Sequence, residues 1–195
     1  MSADPPAPAP APMAPALVFS RRFSMGHRLI LGSSESCALP HGHNETVSVR
    51  LEATHPARLD GGANMVLPFA RAKATWHRWI DERLDHALQL GEHDPLLDWF
   101  TRHEPARAER IVVTPGDPTT ELMACLMMAK LGAFLEAEGG TLRCVEIRLE
   151  ETPTNMVVFD GDPLALLPVP TRAPGQCWWR RPDMSIADPH RRLAA

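Results

Sequence analysis

From His41 to Leu51 the chain alternates, with Val47, Val49 and Leu51 on one face and Ser48 and Arg50 on the other. A period of two is the signature of an extended strand with one buried face. In such a strand residues i and i+2 point the same way, so His41 and His43 present their rings side by side. Two imidazoles so placed make half a metal site. A third is available at His27, in the extended-looking segment Phe23-Ser-Met-Gly-His-Arg-Leu29, which can pair with the first strand. Three protein ligands with an open fourth position are the pattern of catalytic zinc, whereas structural zinc takes four, mostly sulfur. Cys37 lies four residues before His41.

The rest of the chain reads around this strand. Residues 17–28 and 41–54 form a strand pair joined by a Gly/Ser-containing loop that carries Cys37. Pro68 opens a helix over 68–84, with Phe69, Ala72, Trp76, Trp79, Ile80 and Leu84 as its apolar stripe. Residues 87–109 are long for a connection, and Leu96 to Phe100 suggests a short helix within it. A short strand is expected at 110–114. Asp117-Pro118 reads as the N-cap and first residue of a helix over 118–138, which Gly139-Gly140 ends. Strands follow at 141–151 and 156–160. The order predicts an α+β fold: an antiparallel sheet with two helices packed on one face, ββααββ.

Composition narrows the function. With 195 residues and 44% hydrophobic content, one soluble domain is expected. A formal charge of −4 and no Lys/Arg cluster speak against a nucleic-acid surface. Cys37, Cys125, Cys144 and Cys177 show no C-x-x-C spacing and read as reduced thiols, which suits the cytoplasm. Residues 1–16 are Ala/Pro-rich, without signal-peptide features, and read as a disordered arm. No apolar run is long enough to span a membrane. Residues 162–195 read as a Pro/Arg-rich tail, with Trp178-Trp179 tucked against a neighbouring surface. His55, His77, His93, His103 and His190 read as surface residues.

Four motifs in order resemble the 6-pyruvoyltetrahydropterin synthase and 6-carboxytetrahydropterin synthase family: Phe23-Ser-x-x-His27-Arg-Leu with Cys37-x-x-x-His41-Gly-His43-Asn44; Leu84-Asp85-His86; Pro118-Thr119-Thr120-Glu121; and Glu151-Thr-Pro-Thr-Asn155. The resemblance implies the T-fold over 17–161, with an insertion near 87–115, and a homo-oligomer whose active sites lie at subunit interfaces. It implies Zn²⁺ on His27, His41 and His43, with Cys37 as base near a dication that favours its thiolate. Asp85 and His86 become a second acid/base pair. Glu151 becomes the pterin anchor, because a carboxylate accepts the parallel 2-amino and N3–H donors as it accepts an arginine fork. Thr119 and Thr120, at a helix N-terminus, either bind polar ring atoms or cap the helix, and Glu121 has the same choice.

The Cys-x-x-x-His-Gly-His spacing is similar to that of the 6-carboxytetrahydropterin synthases of 7-deazaguanine (queuosine) biosynthesis. The pyruvoyl-forming enzymes have a longer spacing, and the folate-linked branch has glutamate where this chain has Ala38. The implied reaction is a zinc-dependent lyase step on 7,8-dihydroneopterin triphosphate, removing triphosphate and acetaldehyde. Alternatives are another pterin side-chain lyase, such as a pyruvoyl-forming one, or a non-catalytic T-fold protein that binds zinc and a pterin. Three departures stand out: Pro68-Phe69 replaces an Asp-Phe pair, Leu90 replaces an Asn, and the His86-to-Thr119 connection is unusually long.

Overall fold

The computed structural model describes residues 15–32, 35–55, 59–168 and 174–188. The arm expected over 1–16 lies outside the described residues except for its last two, and His190 lies outside them as well. In order, the chain forms β1 (Leu17–His27), a short helix α1 (Glu35–Ala38), β2 (His41–Ala53) and α2 (Phe69–Trp79), which runs into a π-helical turn (Ile80–Leu84). Next come β3 (Ala87–Gly91), α3 (Pro95–His103), α4 (Pro105–Ala108), β4 (Ile111–Thr114), α5 (Thr120–Ala137), β5 (Leu142–Thr152), β6 (Asn155–Phe159) and α6 (Pro163–Leu166). Two 3₁₀ turns, at Pro174–Gln176 and Trp178–Arg180, follow.

Six strands make one sheet in the order β4-β3-β1-β2-β5-β6. The ββααββ frame is present, with β1, β2, β5 and β6 antiparallel. The sheet as a whole is mixed rather than antiparallel, because β3 pairs parallel to both β1 and β4. The reason lies in the connections. Strand β3 is followed by α3 and α4, and a helical crossover returns the next strand in the same direction. The long connection is therefore an ordered β-α-α-β unit with its own small core of Leu90, Leu97 and Ile111. Leu90, one of the three departures, is fully buried there.

The alternation of the sequence decides which face is inside. Phe23 and Met25 of β1, Val47, Val49 and Leu51 of β2, and Ile147 and Leu149 of β5 are all buried on the face covered by helices. On α2 and its π turn, Ala72, Trp76, Trp79, Ile80 and Leu84 are buried as the stripe predicts, but Phe69 is half exposed. Helix α5 is apolar nearly all round and runs through the core, each fully buried Leu, Met or Phe contributing on the order of 2 kcal/mol. Its cap differs from the expected one. Thr119 is the N-cap and accepts from the Leu122 amide, while the Asp117 carboxylate turns away to accept from the Ile30 and Leu31 amides at 3.0 and 2.7 Å. The helix ends at Gly139 and Gly140, both at positive φ as a C-terminal stop requires.

The C-terminal segment is the largest revision. Trp178 is fully buried and Trp179 nearly so, and both belong to the main core rather than to a surface. The Trp76, Trp79 and Trp178 rings stack in sequence, at centroid separations of 5.3 and 6.0 Å.

Candidate functional site

His27 ends β1 and His41 opens β2, and the two are paired in the antiparallel register, with His43 two residues on. All three side chains point to the helix-covered face, and their ligand atoms lie within 4.8 Å of one another. The backbones must come close for this. A Cβ on Gly42 would sit 2.6 Å from the Met25 carbonyl oxygen, so the residue between the two histidines has to be glycine.

Hydrogen bonds orient the rings. His27 Nδ1 lies 3.0 Å from the Pro118 carbonyl oxygen and His41 Nδ1 lies 2.8 Å from that of Leu39. A ring nitrogen facing a carbonyl must carry the proton, so both Nε2 atoms present lone pairs. Those atoms are 3.1 Å apart. Two lone pairs at that distance repel unless a cation lies between them, and tetrahedral zinc with its usual Zn–N bonds sets ligand nitrogens about 3.3 Å apart. The donor set fits a divalent metal. Burial also pushes His27 below the usual imidazole range, against the opposing effect of its Pro118 bond, which favours the neutral form that a metal needs.

Cys37 sits on α1, and its carbonyl accepts from the Leu29 amide at 2.8 Å, which draws the thiol-bearing turn towards the residues just past His27. Asp85 and His86 follow the π turn. The His86 amide donates to the Ser24 carbonyl at 2.7 Å, and Asp85 accepts from the Ser24 amide at 2.8 Å. The Ser24 bond, with His86 beside it, holds the Asp85 carboxyl below its ordinary range. His86 Nδ1 lies 3.1 Å from Asp85 Oδ2, so these neighbours in sequence do touch. His86 adopts φ +60°, a conformation that a non-glycine side chain holds only when its surroundings impose it. Its side chain is 78% exposed, so within one chain the pair is open to a partner.

Glu151 and Thr120 come together, the Thr120 hydroxyl donating to Glu151 Oε1 at 2.8 Å. With Thr119, Asp117 and Leu29 they line a cavity of about 870 Å³. Glu121, at the same helix start, also lines it. One oxygen of Glu151 is thus committed to Thr120. The other is not, so the carboxylate has acceptor capacity left.

Two residues were missed in the sequence. Glu45 is 1% exposed on the same face of β2 as His41 and His43, and burial together with the Glu151 charge pushes its carboxyl up to about 8. Its signal was the alternation itself, which places Glu45 on the inner face. Arg110 donates to the carbonyls of Glu82 and Asp85, tying the start of β4 to the end of the π turn. Nothing in the sequence marked that contact. Nearby, Arg28 forms a two-pronged ion pair with buried Asp94, whose Oδ1 also accepts from the Leu96 amide to cap α3. This clasps the inserted unit to the residue after His27. Of the histidines read as surface residues, His55, His93 and His103 are exposed, whereas His77 is half-buried against Phe19.

The sheet order and the helices on one face are those of a T-fold protein. The chain belongs to the 6-pyruvoyl tetrahydropterin synthase family, whose profile matches residues 16–162. Its relatives include the 6-carboxy-5,6,7,8-tetrahydropterin synthase of Rickettsia felis, 28% identical over 135 residues, 69% of this chain and 92% of that one. The enzyme of the same description from Rickettsia bellii is 27% identical with the same coverage. Among solved structures, a protein of Wolinella succinogenes matches 74% of this chain and 97% of its own, with a TM-score of 0.60 at 23% identity. The 6-pyruvoyl tetrahydropterin synthase of Plasmodium vivax matches 74% and 96% with a TM-score of 0.51 at 18% identity, a likeness of fold.

Proposed function

We propose that this protein is a zinc-dependent lyase acting on 7,8-dihydroneopterin triphosphate, of the 6-carboxy-5,6,7,8-tetrahydropterin synthase type that serves 7-deazaguanine biosynthesis. The observation that carries the reading is the convergence of the His27 and His41 Nε2 atoms beside His43, with both Nδ1 atoms pinned by carbonyls. His27, His41 and His43 would hold the metal, which supplies Lewis-acid stabilisation of negative charge developing on the side-chain oxygens of the substrate. The Glu151 carboxylate, oriented by Thr120, accepts the paired N–H donors of the pterin edge. Thr119 and Thr120 are polar contacts in the same cavity. Cys37 takes a proton from the side chain of the substrate. His86, steadied by Asp85, moves a second proton, as an imidazole does near neutral pH.

The Cys-x-x-x-His-Gly-His spacing and the descriptions of the Rickettsia relatives support the carboxy-forming branch over the pyruvoyl-forming one. A homo-oligomer with sites completed across subunits suits the exposed His86 side chain and the outer sheet face, where Val18, Met156 and Val158 are more than half exposed. No described helix is long and apolar enough to cross a membrane, and the cytoplasm is the proposed location.

The test is to incubate zinc-loaded protein with 7,8-dihydroneopterin triphosphate, following acetaldehyde and the mass of the pterin product. Acetaldehyde with a carboxy-pterin is the expected result. A pyruvoyl or hydroxymethyl pterin would move the protein to another branch. Metal and pterin binding with no turnover, from a folded oligomer, would overturn the enzymatic reading in favour of a binding protein.

A further inference from the structure

Lys130 lies in the middle of α5 with its side chain fully buried. A lysine there needs partners, since an ammonium taken from water without them is costly. Among the described residues, every partner that its Nζ bonds comes from residues 178–183: the Trp178 carbonyl at 2.9 Å, the Arg181 carbonyl at 2.7 Å and Asp183 Oδ1 at 3.3 Å. The same nitrogen lies 5.1 to 6.0 Å from the ring centroids of Phe134, Trp79 and Trp178. Lys130 therefore anchors a C-terminal segment that lies beyond the stretch shared with the family, residues 16–162.

The anchored segment touches two elements that lead to Asp85 and His86. At the sheet edge, Trp178 Nε1 donates to the Val113 carbonyl at 2.8 Å and the Val113 amide donates to the Ile186 carbonyl at 3.0 Å, so both edge-facing groups of that residue are taken. Val113 belongs to β4, whose preceding residue Arg110 holds the Asp85 carbonyl. β4 also flanks β3, which starts directly after His86. At the helix, Trp79 Nε1 donates to the Ser185 carbonyl at 3.3 Å, and Trp79 is the residue from which the π turn into Asp85 departs. A π turn and a left-handed His86 are both conformations that neighbours must enforce.

We propose that Lys130 is a positioning residue for the Asp85–His86 pair, acting by anchoring residues 174–188 against β4 and the start of the π turn. This rests on the acid/base role given to that pair above. His27, His41 and His43 sit on β1 and β2, which the segment does not hydrogen-bond among the described residues, so metal binding is separable from the effect.

The experiment compares amide hydrogen exchange in the zinc-loaded, full-length protein and its Lys130→Met and Asp183→Asn variants, with zinc content and steady-state kinetics alongside. In Lys130→Met the segment 79–91 is expected to exchange at least tenfold faster, while β2 keeps its protection and one zinc stays bound. On the proposed substrate kcat per folded, zinc-bound protein should fall at least tenfold with KM little changed, whereas a uniformly loosened fold would speed exchange in β2 as well and lower activity only in proportion to the folded fraction. Asp183→Asn keeps an oxygen at that position but removes its negative charge, the only one among the three acceptors, and serves if Lys130→Met does not fold. It should accelerate exchange of 79–91 about threefold. Faster exchange confined to 174–188, with 79–91 as protected as in the native protein, would overturn the proposal. If the native protein turns over no pterin triphosphate, the substrate reading fails, and the exchange comparison still decides whether Lys130 positions residues 85 and 86.

Discussion

His27 does two things at once: it turns Nε2 towards His41 Nε2, where the proposed metal would lie, and hands its other ring nitrogen to the Pro118 carbonyl, at the threshold of α5. Replacing it by alanine should remove both. We expect His27→Ala to lower zinc affinity at least about 100-fold, since losing even an outer partner of a ligand costs 10- to 100-fold, as read by competition with a chromophoric chelator. Glu151→Gln should leave zinc in place but weaken pterin binding by about 2 kcal/mol, roughly 30-fold in Kd, because one of two charge-assisted acceptors becomes a donor. Calorimetry with a pterin that lacks the triphosphate checks this, and unchanged affinity would remove Glu151 from the anchor role. At this scale the histidine cluster was legible because strand periodicity fixes direction. The carbonyls that orient the rings were not, for a main-chain oxygen carries no mark in the sequence. Glu45 was legible in principle, two positions from His43 on the inner face, but a glutamate in a strand is read as solvent-facing by habit.

At the scale of elements, the site depends on how closely β1 and β2 can approach. Gly42 sits where any side chain would strike the Met25 carbonyl. Gly42→Ala should therefore spread the hairpin between the two ligands, cost about 1–3 kcal/mol in denaturant unfolding and reduce zinc affinity together with stability. A variant that keeps native zinc affinity and stability would show that the strands have slack. The hairpin, the two long helices and the last two strands were readable because each carries a strong period or a clear stop. β3 was not. Its five residues are too short for a period to show, and its parallel pairing depends on α3 and α4 folding as a crossover. The start of α5 shows a related limit: Asp117-Pro118 has the composition of a cap, yet the carboxylate is drawn to two amides of the loop after β1 and the cap passes to Thr119.

For the whole molecule, the part least legible in sequence was the C-terminal segment, because Pro- and Arg-rich composition argues for solvent while its tryptophans need a site on another element to enter. That site is built by α2 and α5, and no local pattern reveals it. Its electrostatics give a pH signature. Burial, only partly offset by Asp183, lowers the Lys130 ammonium from 10.5 to about 8. Between those values the unfolded chain binds more protons at this position than the folded one, so stability due to this residue rises as pH goes from 8 to 10.5, and the full cost of the buried charge is felt below 8. Asp183 behaves in the complementary range. Burial disfavours its charge, but bonds from Ser185 and the charges of Lys130 and Arg181 outweigh that and bring the carboxyl to about 2, so its contribution is present above 3.8 and lost as pH falls towards 2. Urea unfolding of native and Lys130→Met protein across pH 7 to 10.5 should show the difference moving in favour of the native chain as pH rises, and Asp183→Asn should converge on the native curve as pH falls to about 2. A pH-independent gap between native and Lys130→Met would mean that the amine holds its proton as firmly in the fold as in the unfolded chain, so that the Trp178 and Arg181 carbonyls and Asp183 fully offset its burial.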